Sequence, residues 1–533
     1  MSTLTATNIT SPLGMTTQSN YAAVKSGRTA LAWHDAGSRG VPFGFCASLF
    51  TEEQWAAMML PGLSRFESIV VRSVRQALAE AEAAGRPVDV QSPRTLLIVS
   101  TTKGDIMTSP GVTAGRIAQT LGVTTMPIVV CCACISGVAA QTLAMRLTDM
   151  GECDTAIVTG GDVQSEFIIS GFQSLKALSP EPCRPFDAER MGLNLGEAAA
   201  TMIYTAAHTA GQWRLAAGAI RNDAYHISGP HPKGDGCLLT LQQVAGDRER
   251  LAAIGVHGTA TMYNDQMESK AIERAGLSDI PVSALKGYYG HTMGAAGLLE
   301  TIITATALDE GLVLPSMGYA ERGVSGRVGI SPTAVHTARR EFIKMLSGFG
   351  GCNGAIRMTK GAPTPPPSRP RYRTVATYTA RDLSPEALTA EYRSTGSAYP
   401  RFHKMDPLSK LAYLGAETLL RDVQDTGSST AVILFNSQSS LAADSLYMDS
   451  IADKADYYPS PSAFVHTLPN ISTGEVALRH AMHGETAFYI LPRHDSATME
   501  RILTASLLDP QTEYILTGWL DTGEMRMVER ISY

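Results

Sequence analysis

The chain has 533 residues, 44% hydrophobic and 18% charged, with a formal net charge of −6. At roughly 100–200 residues per domain, that length predicts about two to four domains. The near balance of 44 basic and 50 acidic residues excludes a broad basic footprint for nucleic acid and an acidic disordered tail. No uncharged apolar run reaches the ~18 residues of a membrane span. Met1 to Met15 lacks a basic segment followed by an apolar one, so no secretory signal is expected. The eight cysteines then read as reduced thiols of a cytoplasmic protein rather than a disulfide framework.

In chain order, Ser64 to Ala84 carries Phe66, Ile69, Val70, Val74 and Leu78 at helical spacing. Arg94 to Thr101 is an apolar run ending in small polar residues, which predicts a buried strand. Met126 to Cys132 predicts another. From Ile135 the period changes: Val138, Ala139, Leu143, Leu147 and Met150 line one helical face, and Gly151 closes it. Thr155 to Gly161 is again strand-like. Strand–helix–strand of this kind is a βαβ unit and implies a mostly parallel sheet. Lys360 to Arg373 holds five prolines and cannot continue a helix or a central strand. It divides the chain into residues 1–360, a Pro-rich linker at 361–380, and residues 381–533. Beyond it, Pro407 to Leu420 predicts a helix and Thr430 to Asn436 a buried strand, echoing Ser64 to Thr101. Tyr514 to Gly518 echoes Ala156 to Gly160. This order reads as a diverged repeat of the N-terminal half; the competing reading is the general likeness of α/β segments.

Cys134 falls at a predicted strand-to-helix junction. Unpaired backbone N–H groups and the helix dipole favour a thiolate there, whereas an inert buried thiol is the common fate of cysteine. Cys131 and Cys134 also form a CxxC, which raises a dithiol or zinc reading. There is no second CxxC, and Cys131 and Cys132 belong to an apolar strand, so no metal is expected. His257 lies in Val-His-Gly-Thr-Ala-Thr and His291 in Tyr-Gly-His-Thr-Met-Gly-Ala-Ala-Gly, with Lys286 five residues earlier. A glycine beside each histidine marks close backbone approaches. The segment Gly348-Phe349-Gly350-Gly351 is either a surface turn or a loop whose backbone binds an oxyanion while Phe349 covers the site. Neither G-x-S-x-G nor a phosphate-binding P-loop is present.

Taken in order, Ala133-Cys134-Ile135-Ser136-Gly137, the histidine motifs at 257–261 and 290–297, and Gly348 to Gly351 resemble the β-ketoacyl-ACP synthases. So do Gly171 to Ser179, Arg184-Pro185-Phe186-Asp187, and Asn264-Asp265 with Glu268. The resemblance covers about residues 1–360. It implies a thiolase-like α/β fold of five αβαβα layers and a decarboxylative Claisen condensation. By that resemblance Cys134 accepts an acyl chain, and backbone N–H groups near Cys134 and Phe349 hold the oxyanion. His257 and His291 bind the malonyl carbonyl, and Lys286 orients them. Thr259 and Thr261 contact the phosphopantetheine arm, Phe349 is the gate between acyl pocket and entrance, and Gly350 joins these as a substrate-binding residue. No cofactor is implied beyond the phosphopantetheine carried by the substrate. The implied partners are an acyl carrier protein, acyl and malonyl thioesters, and a second ketosynthase-like chain in a homodimer or heterodimer.

The match has departures. The usual Arg-Asp-Gly-Phe is Arg190-Met191-Gly192-Leu193, the usual Gly-Glu-Gly-Ala is Gly196-Glu197-Ala198-Ala199, and the second glycine of His-Gly-Thr-Gly-Thr is Ala260. None removes a catalytic group; they suggest a specialised fatty-acid, polyene or polyketide branch. The C-terminal part resembles only the first half of the family. Pro459 to His480 and the strand Ala487 to Leu491 lead to Pro492-Arg493-His494-Asp495-Ser496, and no cysteine follows Cys352. It is expected to be a truncated, non-catalytic half-domain. Its uncovered sheet face or edge should pack on the catalytic domain, a second copy or another protein. The rival functional reading is a non-elongating scaffold or chain-length-determining subunit.

Overall fold

The computed structural model describes residues 2–207, 209–362, 365, 367–421, 427–455 and 457–531. Strand β1 (Ser2–Thr10) opens the chain. Helix α1 (Arg65–Ala83) starts where Ser64 and Glu67 cap each other's backbone N–H groups. Strand β2 (Thr95–Ser100), helix α2 (Pro110–Leu121), strand β3 (Ile128–Val130) and helix α3 (Ser136–Asp149) follow. Next come β4 (Thr155–Asp162), α4 (Glu166–Ser174), β5 (Ala198–Thr205) and β6 (Arg214–Asn222). Helix α5 (Asp235–Val244), β7 (Leu251–Gly255), α6 (Met262–Arg274), β8 (Pro281–Ser283) and α7 (Ala296–Asp309) lead to the hairpin β9 (Glu341–Gly348) and β10 (Cys352–Thr359).

These elements build five layers. Helices α1 and α2 cover the outside of a sheet ordered β1-β5-β4-β2-β3. Helices α3 and α7 lie beneath it, with a second sheet, β6-β10-β9-β7-β8, on their other side and α5 and α6 outermost. The two sheets touch only at a corner, where Ser2 and Thr3 pair with Leu215 and Arg214. Interior β2 is buried along its whole length, as a parallel strand covered on both faces must be.

The C-terminal half is β11 (Tyr372–Thr379), α8 (Pro407–Leu419), β12 (Thr430–Asn436), α9 (Leu441–Ala452), α10 (Pro461–His466), α11 (Ile471–His480), β13 (Thr486–Ile490), α12 (Ser496–Ser506), β14 (Tyr514–Trp519) and β15 (Glu524–Arg530). Its sheet runs β13-β12-β14-β15-β11. The inner pairs β12·β13 and β12·β14 are parallel and the outer pairs antiparallel. That reproduces, strand for strand, the first sheet of the N-terminal half, as a repeat predicts. The second sheet has no counterpart among the described residues.

Residues 372–379, read from the sequence as the end of the linker, form β11 and pair with β15. The last proline of the linker is Pro370; beyond it Thr374, Val375 and Thr377 are β-branched and Tyr372 and Tyr378 aromatic, a composition that favours a strand over a spacer. Within the linker, Pro363, Thr364 and Pro366 lie outside the described residues.

The expected open edge is covered from within the chain. Antiparallel β3 and β13 join the two halves, Val130 opposite Tyr489 and Val129 opposite Ile490. Cys131 N–H continues the ladder to Phe488 O at 3.0 Å. Three buried ion pairs cross the same boundary: Arg146–Glu485 at 2.7 Å, Arg221–Asp509 at 2.5 Å and Lys103–Asp444 at 2.5 Å. Every cation comes from the N-terminal half and every anion from the C-terminal half. One apolar core runs through both, including Val130 and Leu143 on one side and Tyr489 and Ile502 on the other.

Candidate active site

Cys134 stands where β3 turns into α3. Ala133, just before it, takes a left-handed conformation at φ 49°, so the chain turns sharply between strand and helix. Ser136 Oγ accepts the Cys132 N–H at 2.9 Å and donates to Ala133 O at 2.6 Å, locking the turn. Cys131 and Cys132 point elsewhere: Cys131 Sγ donates to Thr102 O at 3.3 Å, and Cys132 Sγ lies 3.9 Å from Phe488 O. Both are buried core thiols.

His257 follows β7. Its backbone N–H and that of Gly258 each donate to the Glu268 carboxylate on α6 at 2.7 Å. Asp265, one turn earlier on α6, accepts from Phe186 N–H at 2.7 Å and Ala260 N–H at 3.2 Å. The Arg184-to-Asp187 segment and the His257 loop are thereby fixed to one helix. Ala260 sits at φ 60°, a conformation that disfavours any residue with a Cβ, which accounts for the glycine usual at this position. His291 is reached through Gly290 at φ 69°, where a Cβ would run into Leu195 O, and its N–H donates to Asn194 O at 2.7 Å.

The three side chains converge from distant parts of the chain. His291 Nε2 is 3.0 Å from Cys134 Sγ. The two imidazoles meet edge to face with centroids 5.1 Å apart, and donor atoms of Cys134, His257 and His291 all lie within 4.8 Å of one another. Met293 N–H donates to His291 Nδ1 at 3.3 Å. A neutral ring that accepts at Nδ1 carries its proton on Nε2, so His291 presents an N–H to the sulfur and to whatever occupies the space beside it.

Behind the imidazoles, Lys286 Nζ donates to His257 O at 2.6 Å and to Glu300 at 2.8 Å. Lys344 Nζ donates to Val256 O at 2.7 Å and pairs with the other Glu300 oxygen. Lys286 therefore fixes the backbone of His257 rather than touching either ring. Two ammonium groups share one carboxylate, so the cluster is net positive. Burial and this positive charge hold both imidazoles well below the usual histidine range, and hence neutral. Enclosure pushes the Cys134 thiol up to about 12, with the Lys286 charge opposing.

A cavity of about 610 Å³ opens over Cys134, His257 and His291. Thr259 and Thr261 line it, their hydroxyls 2.9 Å apart, and exposed Met191, Met262 and Tyr263 form part of its lining. Phe349 is a wall. A Cβ on neighbouring Gly348 would come 3.2 Å from Cys134 N, so this loop lies alongside the backbone at the nucleophile. Gly350, beside Phe349, is not among the residues that line the cavity; its N–H donates to Ile227 O at 2.6 Å, and its carbonyl accepts from Asn222 at 2.7 Å.

Sequence reasoning missed three supporting groups. Lys344 is a lone cation in the apolar strand β9, a signal in itself. Asp162, at the end of β4, accepts from Thr101 Oγ1 and Gly294 N–H, both at 2.7 Å, and so ties the His291 loop to β2. Asn470, at the start of α11, donates to Phe349 O at 2.8 Å, so the C-terminal half holds the Phe349 loop. A thiol with two neutral imidazole donors in an enclosed cavity is equipped for acyl transfer to sulfur and for stabilising an oxyanion.

Residues 75–210 match the family model described as Beta-ketoacyl synthase, N-terminal domain, and residues 213–320 the model of its C-terminal domain. Nodulation protein E of Rhizobium meliloti is 30% identical over 281 residues, 49% of this chain and 70% of that protein. The chain belongs to the β-ketoacyl synthase family. Another family member, 3-oxoacyl-[acyl-carrier-protein] synthase 2 of Vibrio cholerae, is 31% identical over 269 residues, 46% of this chain and 64% of that one. Among solved structures, the ketosynthase ApeO, in complex with its chain length factor ApeC from Xenorhabdus doucetiae, matches with a TM-score of 0.57 at 23% identity, over 67% of this chain and 97% of that one. The PfaC ketosynthase–chain length factor matches with a TM-score of 0.76 at 13% identity, over 99% of this chain and 78% of that one. The ketosynthase fold is thiolase-like, as expected from the sequence. Among the described residues no helix is long and apolar enough to cross a membrane.

Proposed function

We propose that this β-ketoacyl synthase condenses an acyl group carried on Cys134 with malonyl-ACP, releasing carbon dioxide and 3-oxoacyl-ACP. The observation that carries the reading is the convergence of Cys134, His257 and His291 in the lining of one cavity. In the first half-reaction the Cys134 sulfur attacks the acyl thioester carbonyl; a new carbon–sulfur bond forms, the old one breaks, and the departing thiolate takes up the proton that Cys134 gives up. Backbone N–H groups near Cys134 and Phe349 hold the oxyanion. In the second, Nε2–H of His291, with His257 beside it, supports the malonyl thioester oxygen as carbon dioxide leaves. The enolate so formed attacks the acyl carbonyl and expels Cys134. A preorganised donor of this kind is worth about 3–4 kcal/mol of barrier. Lys286 and Lys344 supply the positive potential that favours the enolate. Thr259 and Thr261 line the path for the phosphopantetheine arm, and no cofactor beyond that arm enters the reading.

The partner implied is an acyl carrier protein, in a cytoplasmic pathway for a specialised fatty acid, polyene or polyketide. The β3 edge already engages the chain's own C-terminal half, which supports an intramolecular answer to the second ketosynthase-like subunit. The alternative, a non-elongating scaffold or chain-length-determining subunit, is disfavoured by the intact Cys134–His291 contact. Mass spectrometry of carrier-bound products separates the two. Cys134→Ala should abolish 3-oxoacyl product; elongation that persists in that variant would refute the reading.

A further inference from the structure

The backbone around Phe349 is clamped by groups that belong to the C-terminal half or are anchored by it. Asn470 stands at the N-cap of α11, where an asparagine ordinarily accepts a backbone N–H of its own helix. Here it makes no such bond. Its Nδ2 instead donates to Phe349 O at 2.8 Å, and its Oδ1 is buried with no partner among the described residues. A forgone cap and an unpaired buried oxygen both cost stability, and departures of that kind gather at functional sites. The close approach is made by two glycines, one from each half. A Cβ on Gly474 would come 2.6 Å from Gly350 O, and Gly350, at φ 88°, would bring one to 2.7 Å from Asn470 Nδ2.

Gly350 O is held in a similar way. Asn222, the last residue of β6, donates to it at 2.7 Å and to Thr486 Oγ1 on β13 at 3.1 Å. The Asn222 backbone is fixed by the same half: its N–H donates to Gly484 O at 3.2 Å, and its carbonyl accepts from His483 Nδ1 at 3.1 Å. With Gly350 N–H on Ile227 O at 2.6 Å, both peptide groups that follow Phe349 are pinned. On its other side Gly348 is paired with Cys352 and lies against Cys134 N. Phe349 N–H, between these fixed points, has no hydrogen-bond partner among the described residues.

We propose that Asn470, together with Asn222 held by Thr486, positions Phe349 N–H as an oxyanion donor beside Cys134. The C-terminal half then aims a transition-state contact for a nucleophile that it does not carry. This rests on the condensing reading above. Both asparagines are positioning residues, since they act by holding the peptides next to the donor. A preorganised donor counts only at the place where the oxyanion forms, and a displacement of about 1 Å costs about 100-fold in rate.

The test compares two reactions of Cys134 in the full-length protein, each followed at that residue by mass spectrometry of the digested protein. Acetyl N-acetylcysteamine thioester acylates the sulfur through an oxyanion. Iodoacetamide alkylates it by displacing iodide and forms none. Asn470→Leu and Asn470→Asp, which keep the volume and remove the donor, should slow acylation by about 10- to 100-fold, with alkylation at or above the wild-type rate. Thr486→Val removes an anchor of Asn222 without changing shape and should slow acylation by about two- to tenfold; it decides the matter if neither Asn470 variant folds. Wild-type acylation by a folded Asn470 variant, or by Thr486→Val in that event, overturns the proposal. So does a parallel fall in both reactions, which marks general disruption of the site. Absence of any acyl adduct on wild-type Cys134 overturns the condensing reading itself.

Discussion

The ion pairs between the two halves lend themselves to a direct measurement. Arg146 and Glu485 are 5% and 1% exposed, joined by hydrogen bonds of 3.0 and 2.7 Å, and Glu485 also accepts from Ser506 Oγ at 2.9 Å. Glu485→Ala leaves the guanidinium buried without its counter-charge. Breaking a buried pair in this way costs about 3–5 kcal/mol, a large part of the ~5–15 kcal/mol that stabilises a typical protein. The control is Asp154→Ala. Its partner Arg94 is 47% exposed and Asp154 62% exposed, and a solvated pair of that kind contributes little. Urea unfolding of the full chain, followed by tryptophan fluorescence and circular dichroism, reads both variants. Trp519 reports the C-terminal half, and Trp33, Trp55 and Trp213 the N-terminal half. Glu485→Ala should lower the midpoint far more than Asp154→Ala. Equal shifts in the two variants would refute the claim that buried charge pairing holds the halves together.

The same physical picture gives further expectations. Ala260→Gly relieves a left-handed backbone and should stabilise the fold by about 1 kcal/mol; destabilisation in urea would show that the Ala260 methyl contributes packing that outweighs the strain. Because the thiol lies at about 12 and His291 stays neutral, the Cys134 thiolate fraction grows tenfold per pH unit, so iodoacetamide labelling of Cys134 should climb throughout about pH 6 to 9. A plateau beginning below pH 7 would instead reveal a thiolate–imidazolium pair. Glu300→Gln strips two buried ammonium groups of their shared carboxylate, with an expected loss of about 3–5 kcal/mol; a wild-type urea midpoint would contradict it. A fragment ending at residue 371 should be poorly soluble, since it bares the β3 edge and three unpaired cations; a monodisperse, active fragment on gel filtration would count against the support role of the second half.

Legibility in the sequence followed how local each feature is. Cys134, His257 and His291 stand out because each is framed by small residues that the turns require, and the structure brings all three together. The repeat was visible because strand and helix periods recur in the same order after the prolines. The end of the linker was not: proline composition masked the β-branched run from Thr374, which pairs with β15 only because the far end of the chain returns to it. Asn470 and Phe464 carry no local mark of a role at the nucleophile. Their positions follow from the docking of two distant halves, and only Gly171, whose missing Cβ admits Phe464, hints at it.

What the described C-terminal half contributes follows from what touches the nucleophile. Strand β3 leads directly into Cys134 and ends its own sheet, so its outer backbone groups need a partner. Strand β13 supplies that partner, and α12 packs against α3, the helix that starts at the nucleophile. Asn470 holds the Phe349 loop, and Phe464 closes the space beside the sulfur. All of these contacts come from the C-terminal sheet and the helices around it. In the N-terminal half the second sheet lies beyond α3 and α7 and contributes β7 and β9, which position His257 and Lys344. The nucleophile is thereby framed from two sides, its histidines by the second sheet and its turn by the C-terminal half.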